Sequence, residues 1–311
     1  MRNFIASLLV ASAVCLTAGV ASAQLTYNSG QPVSPAYEGW EKNPDGTYKM
    51  LFGYMNANWE EEIDIPVGPE NGFAPGNPDR GQPTHFYPRR NRFIFWVTVP
   101  ADWGEKELIW TVTANGKTYK AYGTLKQDYE VDNMVFTSET GAIGAGVSDP
   151  EIRRNTPPVV EAVGDTVRTV KVGEPVVLSA KITDDGIPKV RPRGDQDDRH
   201  AKDWGIKDLR ELPPYQITVG SSTGLWGSLM VYRAAPGGHV TVSPDQPKTW
   251  EDTRAGANSQ WAPRWVAPKP PAENKWTATA TFDTPGDYVL WWHGSDGALT
   301  TDLPFRIKVT K

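Results

Sequence analysis

The residues with the clearest chemical capacity are acidic and lie in turns. Asp184-Asp185-Gly186 follows one run of alternating apolar residues, Ser295-Asp296-Gly297 follows another, and Asn155 opens an Asn-Thr-Pro-Pro stretch. Carboxylate and amide oxygens are hard donors, and six to eight of them gathered in one place suit Ca²⁺. The same dipeptides are also ordinary turn formers, because Asp accepts from nearby backbone N–H groups and Gly tolerates positive φ. Asp149, Glu151, Asp195, Asp197 and Asp198 add further acids on either side.

Tryptophan is the second chemically loaded type. The chain has 13, and Trp204, Trp226, Trp250, Trp261, Trp265 and Trp276 fall in or beside two long irregular stretches, 187–224 and 244–275. Exposed indoles stack on sugars or anchor protein partners at little entropic cost. In long loops they also fold back to cover a core. Trp226, Trp250, Trp261 and Trp265 are the candidate recognition residues; Trp291 and Trp292 are adjacent, so one faces a core and the other the opposite side. The outward one is expected beneath an insertion.

Catalytic signatures do not stand out. Gly-x-Ser-x-Gly, His-Glu-x-x-His and a phosphate-binding loop are missing, and His85, His200, His239 and His293 are scattered singly. The chain therefore reads as non-catalytic. The alternative is a hydrolase using paired carboxylates on an extracellular polymer, a signal that 37 acidic residues always supply in some form.

Residues 1–23 read as a cleavable secretory signal: Arg2, an apolar run from Phe4 to Val20, and Ala21-Ser22-Ala23, with cleavage leaving Gln24 first. The only cysteine, Cys15, lies within it, behind Ser12-Ala13-Val14 rather than a lipid-attachment motif. The mature chain would have no disulfide, thiolate ligand or thiol nucleophile. A mean hydropathy of -0.49 argues against membrane insertion. Losing Arg2 takes the net charge from -5 to -6, which disfavours nucleic acid as a partner. Secretion or periplasmic residence follows, with an extracellular protein or polysaccharide as partner.

The elements that must position these residues are strands. With 29 Gly and 27 Pro punctuating short β-branched and aromatic runs, the sequence predicts an all-β protein. After an N-terminal arm, 24–36, a first sandwich is expected over 37–135, with strands at Tyr48–Asn56, Trp59–Pro66, Phe93–Val99, Leu108–Ala114 and Thr118–Leu125. Glu60, Glu62 and Asp64 share one face of the second, read as solvated. Phe93–Val99 is apolar on both faces and is expected to be central or covered. Asn115-Gly116 predicts a type I′ hairpin. The Gly/Pro-rich loop 67–91 is long enough to be functional or mobile. Residues 136–157 read as a linker with little that can pack, and Ile206–Leu212 as a short helix. A second sandwich, 158–311, shows alternation at Val176, Leu178, Ala180 and Ile182, and again at Trp276, Ala278, Ala280 and Phe282.

Asn155-Thr156-Pro157-Pro158, Val172-Gly173-Glu174, Thr183-Asp184-Asp185-Gly186, Phe282-x-x-Pro285-Gly286-x-Tyr288 and Ser295-Asp296-Gly297 together resemble bacterial immunoglobulin-like domains of the PKD and cadherin-like type. The resemblance covers 155–188 and 276–310 and implies two immunoglobulin-like antiparallel β-sandwiches in tandem, the second carrying both insertions. It also implies that Tyr288 caps nearby backbone as a corner tyrosine, and that Asn155, Asp184, Asp185 and Asp296 lie at one end of the domain, where Ca²⁺ would stiffen the junction. In the first block, Gly53-Tyr54-x-Asn56, Ile65-Pro66-Val67-Gly68 and Gly81-Gln82-Pro83-Thr84-x-Phe86 resemble domains of uncharacterised secreted bacterial proteins. The expected function is an exported binding, structural or adhesion protein with a Trp-rich loop surface. An accessory carbohydrate-binding protein, and an assembly subunit joined through sheet edges or the N-terminal arm, are the other readings.

Overall fold

The computed structural model describes residues 27–139, 150–190, 223–249 and 269–311. Within them the chain is all-β, two sandwiches in tandem. In the first, β1 (Val33–Lys42), β2 (Tyr48–Asn56) and β6 (Arg89–Val99) form one sheet in that order, and β4 (Asn71–Ala74), β7 (Leu108–Ala114) and β8 (Lys117–Gly123) form the facing one. A two-stranded ribbon, β3 (Ile63–Asp64) with β5 (His85–Phe86), lies beside them. Alternation on β7 buries Leu108, Trp110, Val112 and Ala114. Phe73 stacks on Trp110 at 5.7 Å, and Phe52 and Phe95 meet that indole edge-on. The β7–β8 hairpin turns at Asn115-Gly116 with φ of 48° and 73°, the positive pair a type I′ turn requires.

The first sandwich departs from expectation in three places. The strand expected over Trp59–Pro66 shrinks to β3, because the chain before it is held by amides rather than by a ladder: Asn56 Nδ2 donates to the carbonyls of Glu61 and Phe86. β6 is an edge strand, not a central one, and Trp96 is 52% exposed with the Lys49 ammonium 5.4 Å from its ring centre. The N-terminal arm, where described, is fastened to its own domain. Trp59 N and Ala57 N donate to the carbonyls of Tyr27 and Pro32, and the buried Asn58 amide bonds Gln31 in both directions. Residues 27–35 are thus held against their own domain.

The Gly/Pro loop is ordered by two buried amides. Asn71 Nδ2 donates to the carbonyls of Ile65 and Pro83 while its Oδ1 accepts from Trp110 Nε1. Gln82 Nε2 donates to the carbonyls of Asn71 and Pro78. Each amide ties together backbone carbonyls from separate parts of the loop, which is how a loop this irregular stays packed.

The second sandwich comprises β9 (Val159–Val163), β10 (Val167–Lys171), β11 (Val176–Thr183), β12 (Trp226–Arg233), β13 (Val240–Ser243), β14 (Lys275–Phe282), β15 (Gly286–Ser295) and β16 (Thr300–Thr310). Its sheets run β10-β16-β15-β12 and β13-β14-β11-β9, antiparallel except for the β10–β16 pair. The alternating residues named from sequence form its core with Leu290, Trp292, Phe305 and Ile307. The Tyr288 hydroxyl donates to the Thr284 carbonyl at 2.8 Å, the backbone contact expected of it. The helix expected at 206–212 lies outside the described residues.

The two sandwiches are joined twice. Part of the stretch read as a linker forms helix α1 (Asn133–Glu139), whose Phe136 meets Phe93 edge-on at 4.6 Å and packs against Ala298 and Leu299 of the second sandwich. That aromatic gave the stretch a packing residue it was expected to lack. The larger contact covers β12, an edge strand whose outer backbone groups need partners. Thr84 N donates to the Tyr232 carbonyl, and Ala234 N donates to Thr84 Oγ1. Tyr232 Oη donates to the Gly81 carbonyl, and the Arg233 guanidinium reaches both Asp79 oxygens at 3.1 and 2.7 Å and the Gln82 carbonyl. Tyr232 is buried in the core of the first sandwich and stacks on Trp291. Trp292 is the inward member of the tryptophan pair, and Trp291 packs against the core of the first domain.

Candidate functional site

The docking of the Gly/Pro loop on β12 leaves a cleft of about 300 Å³ between the sandwiches. One wall comes from Glu62, Asp64, His85 and Tyr87, and the other from β12, β13 and the segment after it. The first wall follows from strand geometry. Asp64 and His85 are direct cross-strand partners on β3 and β5, so their side chains share a face. Glu62 lies two residues before Asp64 and reaches the same ring. His85 Nδ1 bonds Asp64 Oδ1 at 2.8 Å, and Nε2 forms a 3.0 Å ion pair with Glu62 Oε2 that is not aligned as a hydrogen bond. Glu62 and Asp64, expected to be merely solvated, hold a histidine.

Burial of His85 favours the neutral ring, but the hydrogen bond to Asp64, the Glu62 contact and both negative charges outweigh it and push the pKa up to about 9. At neutral pH the ring is an imidazolium with a carboxylate at each nitrogen. It therefore has no free nitrogen to take a proton from a nucleophile. Ser228, the hydroxyl of β12 that lines the cleft, donates to the Pro247 carbonyl instead. Tyr87 lies edge-on to His85 at 4.7 Å and accepts from Val231 N through its hydroxyl. The histidine and Ser228 are thus not paired as base and nucleophile.

The second cluster is the one singled out by the acidic turns. Asp296 is fully buried, and its Oδ1 accepts from Ala298 N and Leu299 N while Oδ2 accepts from Asn155 Nδ2 at 2.9 Å. Burial, with the Asp184 charge adding to it, raises Asp296 to about 6 despite those hydrogen bonds. Burial raises Asp184 too, and the Asp185 charge adds to that. Asp185 differs: burial is outweighed by the Thr156 and Ile187 hydrogen bonds, which hold its carboxyl below the usual range. Two oxygens, Asn155 Oδ1 and Asp184 Oδ1, are buried without a hydrogen-bond partner. Among the described residues no three His, Cys, Asp or Glu side chains converge to hold a metal. A cation here would rely on Asp184, Asp296 and the Asn155 carbonyl, with Asp185 committed elsewhere.

Of the candidate recognition tryptophans, Trp226 is only 5% exposed, its ring 5.4 Å from that of His293. It belongs to the interior of β12 and not to a surface. Trp250, Trp261 and Trp265 lie outside the described residues. No described helix is long and apolar enough to cross a membrane. The cleft residues Glu62, Asp64 and His85 were not among the sequence candidates. The alternation of Glu62 and Asp64 was visible, but the register bringing His85 opposite Asp64 is set across the intervening loop.

No family model and no curated protein matches the chain. Among solved structures, two domains of the S-layer protein SbsC are similar at 8% identity and a TM-score of 0.23, over 67% of this chain and 66% of that one. The chain spans only 27% of a longer SbsC structure. The D00-D0 domain of intimin is similar at 9% identity and a TM-score of 0.25, over 90% and 100%. Three N-terminal domains of the outer capsid protein Hoc of bacteriophage RB49 are similar at 7% identity and a TM-score of 0.20, over 90% and 58%. Similarity at this level assigns no activity or partner.

The geometry around His85 predicts its titration. Its proton stabilises the fold fully below the free imidazole value of 6.5, and that contribution, on the order of 3 kcal/mol, is lost as the pH rises through about 9. NMR titration should find the ring charged at pH 8, with the pKa falling below 6.5 when Glu62→Gln and Asp64→Asn leave burial to act alone. A wild-type value near 6.5 would contradict the clamp.

Proposed function

We propose that this is an exported, non-catalytic binding protein in which two β-sandwiches, fixed against each other, hold a ligand between them. The observation that carries the reading is the cleft itself, walled by both domains, with its histidine sequestered by two carboxylates. A site of this size, part apolar and part charged, at a domain boundary is the usual setting for a ligand. The ligand is part of an extracellular protein or a polysaccharide. The test is a binding screen of the mature protein against both classes, repeated with Val242→Trp to fill the cleft. Capture by the wild type that falls at least tenfold in the variant, with an unchanged melting temperature, is the expected result. Equal capture by both proteins removes the cleft reading and favours the tryptophan-bearing insertions, which Trp261→Ala with Trp265→Ala would then test.

A second reading concerns Ca²⁺ at Asn155, Asp184 and Asp296. It is favoured by the two unsatisfied buried oxygens beside a carboxylate that burial has raised to about 6. Hard oxygens and mutual carboxylate repulsion suit a divalent ion, which would supply the missing charge and fix the entry of the chain into the second domain. Without the ion, stability from Asp296 is fully present below 3.8 and falls as the pH rises through about 6, by about 3 kcal/mol. Added Ca²⁺ should therefore raise the melting temperature at pH 7 and have little effect at pH 4.5, and Asp296→Asn should abolish the gain. A melting temperature indifferent to Ca²⁺ and chelator at pH 7 contradicts the site.

A further inference from the structure

The chemistry of the cleft walls restricts what fits between them. Glu62, Asp64 and Asp245 line it, with His85 and His239; no Lys or Arg does among the described residues. Among the described residues Glu62 and Asp64 form ion pairs with His85 alone, each through one oxygen, so that Glu62 Oε1 and Asp64 Oδ2 make no ion pair there. Asp245 is exposed and has no ion-pair partner among the described residues. The carboxylates thus exceed the charge of the single imidazolium. The opposite wall is mixed: Met230, Val231, Val240 and Val242 give it an aliphatic patch, beside the polar Ser228, His239, Gln246 and Thr249. Among the described lining residues Tyr87 is the one aromatic ring besides the histidines; it meets His85 edge-on and its hydroxyl is engaged by Val231 N.

A carboxylate rim beside the aliphatic patch of Val240 and Val242 matches a cation carried on an apolar stem. Resting on the cleft as the binding site, we propose that it receives a lysine or arginine side chain of an extended segment in a partner protein, the ammonium or guanidinium meeting Glu62, Asp64 and Asp245 and the methylenes lying on Val240 and Val242. His85 shows that the pocket already stabilises one positive charge, and it orients Glu62 and Asp64 so that their second oxygens stay available.

The test uses the mature full-length protein and four capped pentapeptides of glycine with a central lysine, arginine, norleucine or glutamate, followed by NMR shifts of residues 62–64, 85–87 and 240–245. The lysine and arginine peptides should bind there, with norleucine at least tenfold weaker and glutamate silent. Binding should weaken as salt rises from about 0.05 to 0.5 M, where screening shortens the reach of exposed charges. Asp245→Asn, a substitution at an exposed site, should weaken the lysine peptide about fivefold, and Glu62→Gln should do so as well. Norleucine binding as well as lysine overturns the cationic ligand. So does a neutral glycan that binds the cleft and is blocked by Val242→Trp, although the cleft reading then stands. Silence of every probe at these residues, with the Val242→Trp screen also unchanged, removes both.

Discussion

The structure depends on how the free edge of β12 is covered. An unpaired strand edge exposes backbone donors and acceptors that seek a partner, and here the partner is the Gly/Pro loop of the preceding domain. Thr84 pairs with the backbone at Tyr232 and Ala234, Asp79 receives the Arg233 guanidinium, and the Tyr232 ring enters the neighbouring core against Trp291. The hydrogen bonds from Arg233 hold the Asp79 carboxyl below its usual range, as expected of a charge-assisted pair. The same contact protects an edge, orients two domains and leaves the cleft beside it.

That arrangement also explains why the loop must be well ordered. Asn71 and Gln82 fix it from within the first sandwich, and their partners include the indole of Trp110 at the centre of the aromatic core. Rigidity therefore passes from the core, through buried amides, to the loop and across to β12. His85 and Tyr87 sit on the last part of this path, so the cleft wall inherits its order. The Phe136 contact at the other junction acts in the same sense.

Much of the second sandwich was legible because strand alternation is local. Val176 to Ile182 and Trp276 to Phe282 declare their buried faces within eight residues, and Tyr288 carries its own corner contact. The Asn115-Gly116 hairpin was equally plain, since positive φ at both positions restricts the residues that fit. The cleft was not legible. Its clamp joins Asp64 to His85 across 21 positions, through a loop whose path is set by buried amides rather than by periodicity. Trp226 and Trp291 were misplaced for a related reason: composition marks an aromatic as apolar but not which surface covers it. The acidic turns were half legible, with Asn155, Asp184 and Asp296 brought together as their positions implied and Asp185 diverted to Thr156 and Ile187.

The claim that the two sandwiches form one clamped body is most directly tested by a distance distribution across the junction. Because Cys15 is the only cysteine, and signal cleavage would remove it, spin labels can be placed cleanly at the exposed positions Lys120→Cys and Lys181→Cys of the mature protein. Pulsed electron–electron double resonance should give a single narrow distribution, broadened when Asp79→Ala and Arg233→Ala remove the ion pair. A broad distribution in the otherwise unaltered protein, insensitive to those substitutions, would contradict the account.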